Sequence, residues 1–203
     1  MKKSRVGIFG GTFAPPHIGH VNAANAFAEQ ADLDKLLVVP AFIPPHKSVK
    51  FDATPNQRLE MTKIAFSGIC KAEVSDIEIA REGTSYTVDT LRELHNNSVE
   101  LLLFCGTDML LSLDRWYMAS DIFKLAEIAY VNRTQNINDI ERVREKAAGF
   151  RQMYGARVTE ISVDVIDISS SRIREMIAKG NDISEYLQAD VVRYIKRCGI
   201  FKT

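Results

Sequence analysis

The stretch "GIFGGTFAPPHIGH", residues 7–20, runs from apolar residues into two adjacent glycines and then carries two histidines three residues apart. A strand, a glycine turn and the start of a helix together present backbone N–H groups and a helix dipole, which favour a bound anion. Gly10 and Gly11 let the backbone approach a phosphate closely, and Thr12 adds a hydroxyl. The stretch matches neither the GxGxxG fingerprint of dinucleotide-binding proteins nor a Walker P-loop, because no GK[ST] follows.

This stretch has three interpretations: a phosphate site, a metal site, or a tight turn that binds no ligand. His17 and His20 are spaced to share one face of a helix, and Gly19 between them leaves that face flat enough for a base or a phosphate. Zinc needs three or four protein ligands, and the only other histidines are His46 and His95. The residues therefore favour a phosphate site over a metal site.

The composition of the 203-residue chain is that of an ordinary globular protein, with 46% hydrophobic residues and equal numbers of basic and acidic side chains, 26 of each. This balance argues against a general attraction to nucleic acid or to an anionic membrane, so any anion site must be built locally. Three widely spaced cysteines without a CxxC pair are typical of a reducing compartment, and no apolar run is long enough for a signal or a membrane span. We expect a cytoplasmic protein.

Apolar segments alternate with amphipathic ones along the whole chain, which predicts an α/β fold with a Rossmann-like parallel sheet of about five to six strands. Helices are expected on both faces of the sheet, in a single domain spanning 1–203 whose small C-terminal helical part begins at about residue 168. Strands are predicted at "RVGIFG", "KLLVVPA", "VELLLFCG", "AEIAYVNR" and "ARVTEISV", with short β-like pieces around 72–80. Thr54 followed by Pro55 predicts a helix start, and Ser85 or Thr87 is a candidate cap for the next helix.

In parallel sheets, ligands bind beyond the carboxyl ends of the strands. Three polar turns follow predicted strands here: Gly10-Gly11, Gly106-Thr107-Asp108 and Asn132-Arg133. We expect these turns to converge on one crevice.

Two motifs together carry a family resemblance. "GGTFAPPHIGH" resembles the first signature of the HxGH nucleotidyltransferases, and "ISSSRIR" at 168–174 is similar to their second signature. Within that superfamily, "VVPAFIPPHK", "GTSYTVDTL", "GTDMLLSLDRWY" and "VVRYIKRCGIF" resemble the bacterial nicotinate mononucleotide adenylyltransferases. The resemblance covers Val6 to about Phe201. The family usually has Asp where this chain has Ala14, which implies a difference in how the first loop is braced.

The resemblance implies a role for individual residues. His17, His20, Lys47 and Arg174 would act in the transfer step. ATP would be bound by Gly10, Gly11, Thr12, Phe13, Gly19, Gly106, Asp108, Arg133, Ser169 and Ser170. Nicotinate mononucleotide would be bound by His46, Ser85, Tyr86, Thr87, Trp116 and Tyr117. Periodicity alone favours a core position for Trp116, whereas the resemblance implies a platform for the pyridine ring.

The reaction implied by the resemblance is transfer of AMP from ATP to nicotinate mononucleotide, giving deamido-NAD and pyrophosphate in NAD biosynthesis. Mg²⁺ would accompany ATP, held mainly through phosphates and water and by no dedicated protein site. The expected partners are these two substrates, without nucleic acid or membrane, and a homo-oligomer stays open. Two alternatives also stay open: a related transferase acting on pantetheine phosphate or another phosphorylated acceptor, and a non-catalytic nucleotide sensor.

Overall fold

A computed structural model describes residues 2–45, 52–131, 137–164 and 166–202. The strands are β1 (Ser4–Gly11), β2 (Lys35–Pro40), β3 (Ala72–Val74), β4 (Val99–Cys105), β5 (Ala126–Val131) and β6 (Val158–Ile161). The helices are α1 (Ile18–Gln30), α2 (Pro55–Phe66), α3 (Ile77–Arg81), α4 (Thr87–Leu94), α5 (Thr107–Ser112), α6 (Ala119–Leu125), α7 (Ile137–Tyr154), α8 (Ser170–Ala178) and α9 (Ala189–Cys198). A short 3₁₀ turn, Leu113–Arg115, follows α5.

The strands form one six-stranded sheet in the order β3-β2-β1-β4-β5-β6, and β4 pairs parallel with both β1 and β5. Residues 101–105 of β4 form a continuous apolar run and are all buried. This pattern is typical of a strand that is covered on both faces of the sheet. The predicted α/β, Rossmann-like fold with a parallel sheet flanked by helices is confirmed.

Packing groups the chain into two compact units. Unit 1 comprises Met1–Phe9, Ala23–Leu37 and Tyr86–Asp164, and unit 2 comprises Gly10–Asn22, Val38–Ser85 and Val165–Thr203. The single domain over 1–203 stays a prediction. No helix in the described ranges combines the length and apolar character needed to cross a membrane.

Unit 1 is built on close packing of α1 against β1. The Phe9 and Phe104 rings meet edge to face at 4.9 Å, and Phe27 lies 5.0 Å from Phe104. Gly7 is required for this approach, because a Cβ atom there would lie 2.7 Å from Phe27 Cε1 of α1 and 2.3 Å from Cδ1 of Leu33, just beyond that helix. Burial of each such phenylalanine contributes about 1.5–3 kcal/mol to folding.

Unit 2 depends on the start of α2. As predicted, Thr54 is the N-cap and Pro55 is the first helical residue. The Thr54 hydroxyl accepts a hydrogen bond from Gln57 N, and the Gln57 side chain accepts one from Thr54 N. This capping box satisfies two N–H groups that the helix itself cannot. At the other end of α2, the ring of Phe66 lies 5.7 Å from that of Phe13.

Two local predictions are wrong. Of the β-like pieces predicted around 72–80, only Ala72–Val74 is a strand, and Ile77–Arg81 forms the short helix α3. Neither Ser85 nor Thr87 caps α4: the N-cap is Tyr86, without a side-chain cap bond, and the Ser85 hydroxyl instead accepts a hydrogen bond from Phe42 N at 2.8 Å.

Candidate active site

The turn after β1 places Phe13 in the left-handed region, with φ of 49°. This conformation is unusual for a bulky side chain. The Phe13 ring folds back over Gly11, where a Cβ atom would lie 2.7 Å from it, whereas a Cβ at Gly10 would meet nothing. Gly11 therefore makes room for the Phe13 ring, and Gly10 has open space beside it for a bound group.

His17 and His20 lie against each other at the start of α1. Their ring centroids are 3.7 Å apart, and His17 is buried while His20 is half-buried. The backbone N–H of His17 donates to His20 Nδ1 at 3.1 Å. An imidazole nitrogen that accepts a hydrogen bond carries no proton, so His20 keeps its proton on Nε2 and can donate it to an anion.

Gly19 serves the histidine pair in a different way from the one the sequence suggested. A Cβ atom at position 19 would lie 3.1 Å from His17 Nδ1, so the missing side chain makes room for the His17 imidazole. The face predicted to accommodate a base or phosphate is occupied at this position by His17.

The second motif braces the first turn, within unit 2. The Ser170 hydroxyl donates to the Pro15 carbonyl at 2.9 Å, and Arg174 Nη1 donates to the Ala14 carbonyl at 2.8 Å. Ser169 is the N-cap of α8, and its hydroxyl accepts from Arg172 N at 3.2 Å. Position 14 is thus braced through its backbone carbonyl, a contact that does not involve the side chain at this position.

Arg58 is a site residue that the sequence analysis missed. Its side chain is almost fully buried, with Nη1 donating to the Thr12 carbonyl and Nη2 to the Phe42 carbonyl, both at 2.9 Å. Burial lowers the pKa of this guanidinium to about 10. An arginine on a helix in an ordinary polar segment gives no sequence signal of burial.

Unit 1 holds the aromatic residues predicted for the mononucleotide. The Tyr86 and Tyr117 ring centroids lie 4.6 Å apart, and the Tyr117 side chain is exposed. Trp116 is half-buried, with Nε1 donating to the Ser112 hydroxyl at 3.3 Å, so it is not a core residue. A half-buried indole held at its Nε1 edge can offer a surface for stacking on a flat ring.

The turn after β4 is also in unit 1. Gly106 is the N-cap of α5, Thr107 donates its hydroxyl proton to the Val131 carbonyl at 3.0 Å, and Asp108 is exposed in the first helical turn. Thr87 begins α4, where no side chain caps the helix. Lys47, His46 and Arg133 lie outside the described residues.

The described part of the chain contains no cluster of three or more His, Cys, Asp or Glu side chains that could hold a metal ion. The donors gathered in unit 2 are imidazole, guanidinium, hydroxyl and backbone N–H groups. These groups can donate hydrogen bonds to phosphate oxygens.

Comparison with known proteins agrees with this chemistry. The model of the family described as cytidylyltransferase-like matches residues 8–176. A protein of Thermoanaerobacter sp. (strain X514) named "Probable nicotinate-nucleotide adenylyltransferase" is 35% identical, over 99% of this chain and 96% of its own length. One with the same name from Caldicellulosiruptor saccharolyticus is 34% identical, over 98% and 99%. The chain belongs to the cytidylyltransferase-like family, among its nicotinate-nucleotide adenylyltransferases.

A solved structure extends the likeness of this family member to the fold. Plasmodium falciparum nicotinic acid mononucleotide adenylyltransferase complexed with NaAD superposes with a TM-score of 0.77 at 20% identity, over 98% of this chain and 97% of that one. The predicted resemblance to HxGH nucleotidyltransferases is confirmed at the level of family and fold. The roles of the individual residues stay predictions.

Proposed function

We propose that this protein transfers the adenylyl group of ATP to nicotinate mononucleotide, forming deamido-NAD and pyrophosphate. The observation that carries the proposal is the grouping of His17, His20, Ser170 and Arg174 around the turn after β1. Relatives about a third identical over nearly the whole chain carry the name of this activity.

The chemistry needs positioning more than proton transfer. A 5′-phosphate oxygen of the mononucleotide attacks the α-phosphorus of ATP, the bond from that phosphorus to the β-phosphate oxygen breaks, and pyrophosphate leaves. The attacking phosphate is already an anion at neutral pH, so no general base is required. Catalysis then comes from holding two polyanions together and stabilising charge on the phosphoryl oxygens.

Unit 2 would supply the phosphate contacts. We assign His20 Nε2–H to an oxygen of the α-phosphate, because its tautomer is fixed by the bond at Nδ1. A guanidinium has five N–H donors, so Arg174 can hold the Ala14 carbonyl and a phosphate oxygen together. Ser169 and Ser170 stand at the N-terminus of α8, where the helix dipole favours negative charge. Lys47 is proposed to add a further cation.

Unit 1 would bind the pyridine ring and read its carboxylate. Trp116 offers a face for stacking, beside the Tyr86–Tyr117 pair. The first turn of α4, at Thr87, lacks a side-chain cap, so its backbone N–H groups can donate hydrogen bonds to a carboxylate. A neutral amide satisfies these groups less well, which predicts preference for nicotinate over nicotinamide mononucleotide. Gly106, Asp108 and Arg133 are assigned to the adenosine part of ATP.

Mg²⁺ fits this reaction as a companion of ATP. The described residues provide no carboxylate cluster for a resident metal, and Mg²⁺ keeps several waters and binds mainly through substrate phosphates. Its chemistry there is to neutralise charge on the phosphate oxygens. A reaction that consumes ATP and produces a dinucleotide precursor belongs in the cytoplasm, where we place the protein.

Pyrophosphate release with three acceptors tests the proposal. The purified protein is incubated with Mg-ATP and nicotinate mononucleotide, nicotinamide mononucleotide or phosphopantetheine. We expect rapid release with the first, much slower release with the second and none with the third. Preferred use of phosphopantetheine would establish the related transferase instead. ATP binding without pyrophosphate release would establish the nucleotide sensor.

A further inference from the structure

Arg58 is a cation buried without a counter-ion in the described part of the chain. It forms no ion pair with any described carboxylate, and its Nε–H has no acceptor among the described residues. Burying a charge costs stability unless its hydrogen bonds repay it. A large aliphatic side chain would fill the same space on α2 without the free-energy cost of burying a charge. The guanidinium must therefore have a role that apolar packing cannot fill.

The two carbonyls that Arg58 holds follow the ends of neighbouring elements of unit 2. Thr12 comes directly after β1, and Phe42 comes shortly after β2. The backbone already links these turns through Ala41 N, which donates to the Gly11 carbonyl at 2.9 Å. The planar fork of an arginine can donate to two acceptors in a fixed relative geometry, which a lysine ammonium cannot do.

The bond to Thr12 also sets the direction of the next N–H group. In a planar trans peptide the carbonyl and the N–H point in opposite directions. Because the Thr12 carbonyl points at Arg58, the N–H of Phe13 points away from Arg58. The positive φ of Phe13 is costly for a bulky residue, and rotation of this peptide would relieve it, so the orientation needs an external hold.

We propose that Arg58 is a positioning residue for phosphoryl-group binding, which fixes the Thr12–Phe13 peptide so that its N–H is directed toward the nucleotide phosphates. This inference rests on the proposed function for its substrate. Arg58 itself does not touch the phosphates: it acts through the backbone of the turn. Its charge strengthens the bond to Thr12, since hydrogen bonds from an ionised donor are about twice as strong as neutral ones.

Three variants test the proposal. Arg58→Met keeps the length of the side chain and removes the donors, and Arg58→Lys keeps the charge without the two-pronged geometry. Met61→Ala is the matched control, because Met61 is a fully buried residue of the same helix whose truncation weakens packing and whose side chain has no N–H to donate to the Thr12 or Phe42 carbonyl. All are assayed below their unfolding temperatures, with kcat, the KM for ATP and the dissociation constant for ATP by calorimetry.

We expect kcat to fall about 30- to 100-fold for Arg58→Met and at least about tenfold for Arg58→Lys. These losses are smaller than the roughly 10²- to 10³-fold usual on removing a preorganised donor, because the Phe13 N–H is misdirected and not removed. The KM for ATP should rise less than kcat falls, and Met61→Ala should keep kcat within about threefold of wild type while it lowers the unfolding temperature. Equal kcat for Arg58→Met and Met61→Ala, or full recovery by Arg58→Lys, would overturn the proposal.

Binding measurements separate this inference from the proposed function. If the wild-type protein formed no deamido-NAD, the proposed function would fail, and ATP binding alone would then decide the role of Arg58. We expect Arg58→Met to weaken ATP binding at least about fivefold through the misdirected N–H, against an unchanged value for Met61→Ala. Unchanged binding in both variants would refute the role of Arg58 in either case.

Discussion

His20 is the single side chain whose geometry most clearly favours a catalytic role. Its Nδ1 atom accepts the backbone N–H of His17, so the proposed donor to substrate is Nε2–H. We expect His20→Ala to lower kcat about 10²- to 10³-fold, the usual loss on removing one preorganised donor. Steady-state kinetics with Mg-ATP and nicotinate mononucleotide measures this loss.

Two further variants refine the His20 test. His20→Asn can still accept the His17 N–H but offers nothing at the Nε2 position, so it should be about as slow as His20→Ala. His95→Ala, at an exposed position after α4, should leave kcat unchanged. If His20→Ala retained kcat within a few-fold of wild type, His20 would be a structural residue of the turn.

Cys105 provides a test of the buried end of β4. The residue is fully buried, and burial raises the pKa of its thiol to about 12, so at pH 8 it stays protonated and unreactive. Cys70 and Cys198 are exposed. A disulfide reagent should therefore modify two thiols quickly in the native protein and the third only after denaturation. Modification of all three at one rate in native buffer would contradict the packing of β4.

Some properties of single residues could be predicted from the sequence, and others could not. The spacing of His17 and His20 predicts that they share a face, and their rings are indeed in contact. The contact of Gly19 with the His17 imidazole was not predicted, because it depends on a side-chain rotamer that spacing does not reveal. The burial of Arg58 was not predicted, since it depends on carbonyls 16 and 46 residues away in the chain.

At the scale of elements, boundaries marked by local chemistry were predictable. Thr54-Pro55 begins α2 as predicted, and Gly199, with a positive φ of 65°, ends α9. The short helix α3 was not predicted, because Ile77–Arg81 is rich in β-branched residues and too short to show a helical period. Tertiary contacts decide such a segment.

The segment after α5 carries the prediction about the pyridine ring. Trp116 is the only tryptophan of the chain, and its indole is fixed at one edge by Ser112. Trp116→Ala should raise the KM for nicotinate mononucleotide about three- to tenfold, which corresponds to a stacking contribution of about 0.5–1.5 kcal/mol. The KM for ATP should stay nearly unchanged, and Trp116→Phe should lose less.

Fluorescence of the same tryptophan gives an independent measurement. Nicotinate mononucleotide should quench the emission on binding, whereas ATP alone should not. A Trp116→Ala variant that loses ATP affinity, or that unfolds, would assign Trp116 a structural role and not a substrate platform.

At the scale of the whole molecule, two short motifs about 150 residues apart were enough to predict family and fold. The structure adds the physical link between them: Ser170 and Arg174 of the second motif hold the Pro15 and Ala14 carbonyls of the first. The spacing of the motifs does not reveal this bracing, because it forms only when unit 2 folds.

Transfer of a nucleotidyl group from ATP can be followed with isotopic labels. Parallel reactions use ATP labelled at the α-phosphate and ATP labelled at the γ-phosphate, each with nicotinate mononucleotide. We expect the α label to appear in deamido-NAD and the γ label in pyrophosphate, in equal amounts. Label from the γ-phosphate in the mononucleotide product, or release of inorganic phosphate in place of pyrophosphate, would contradict it.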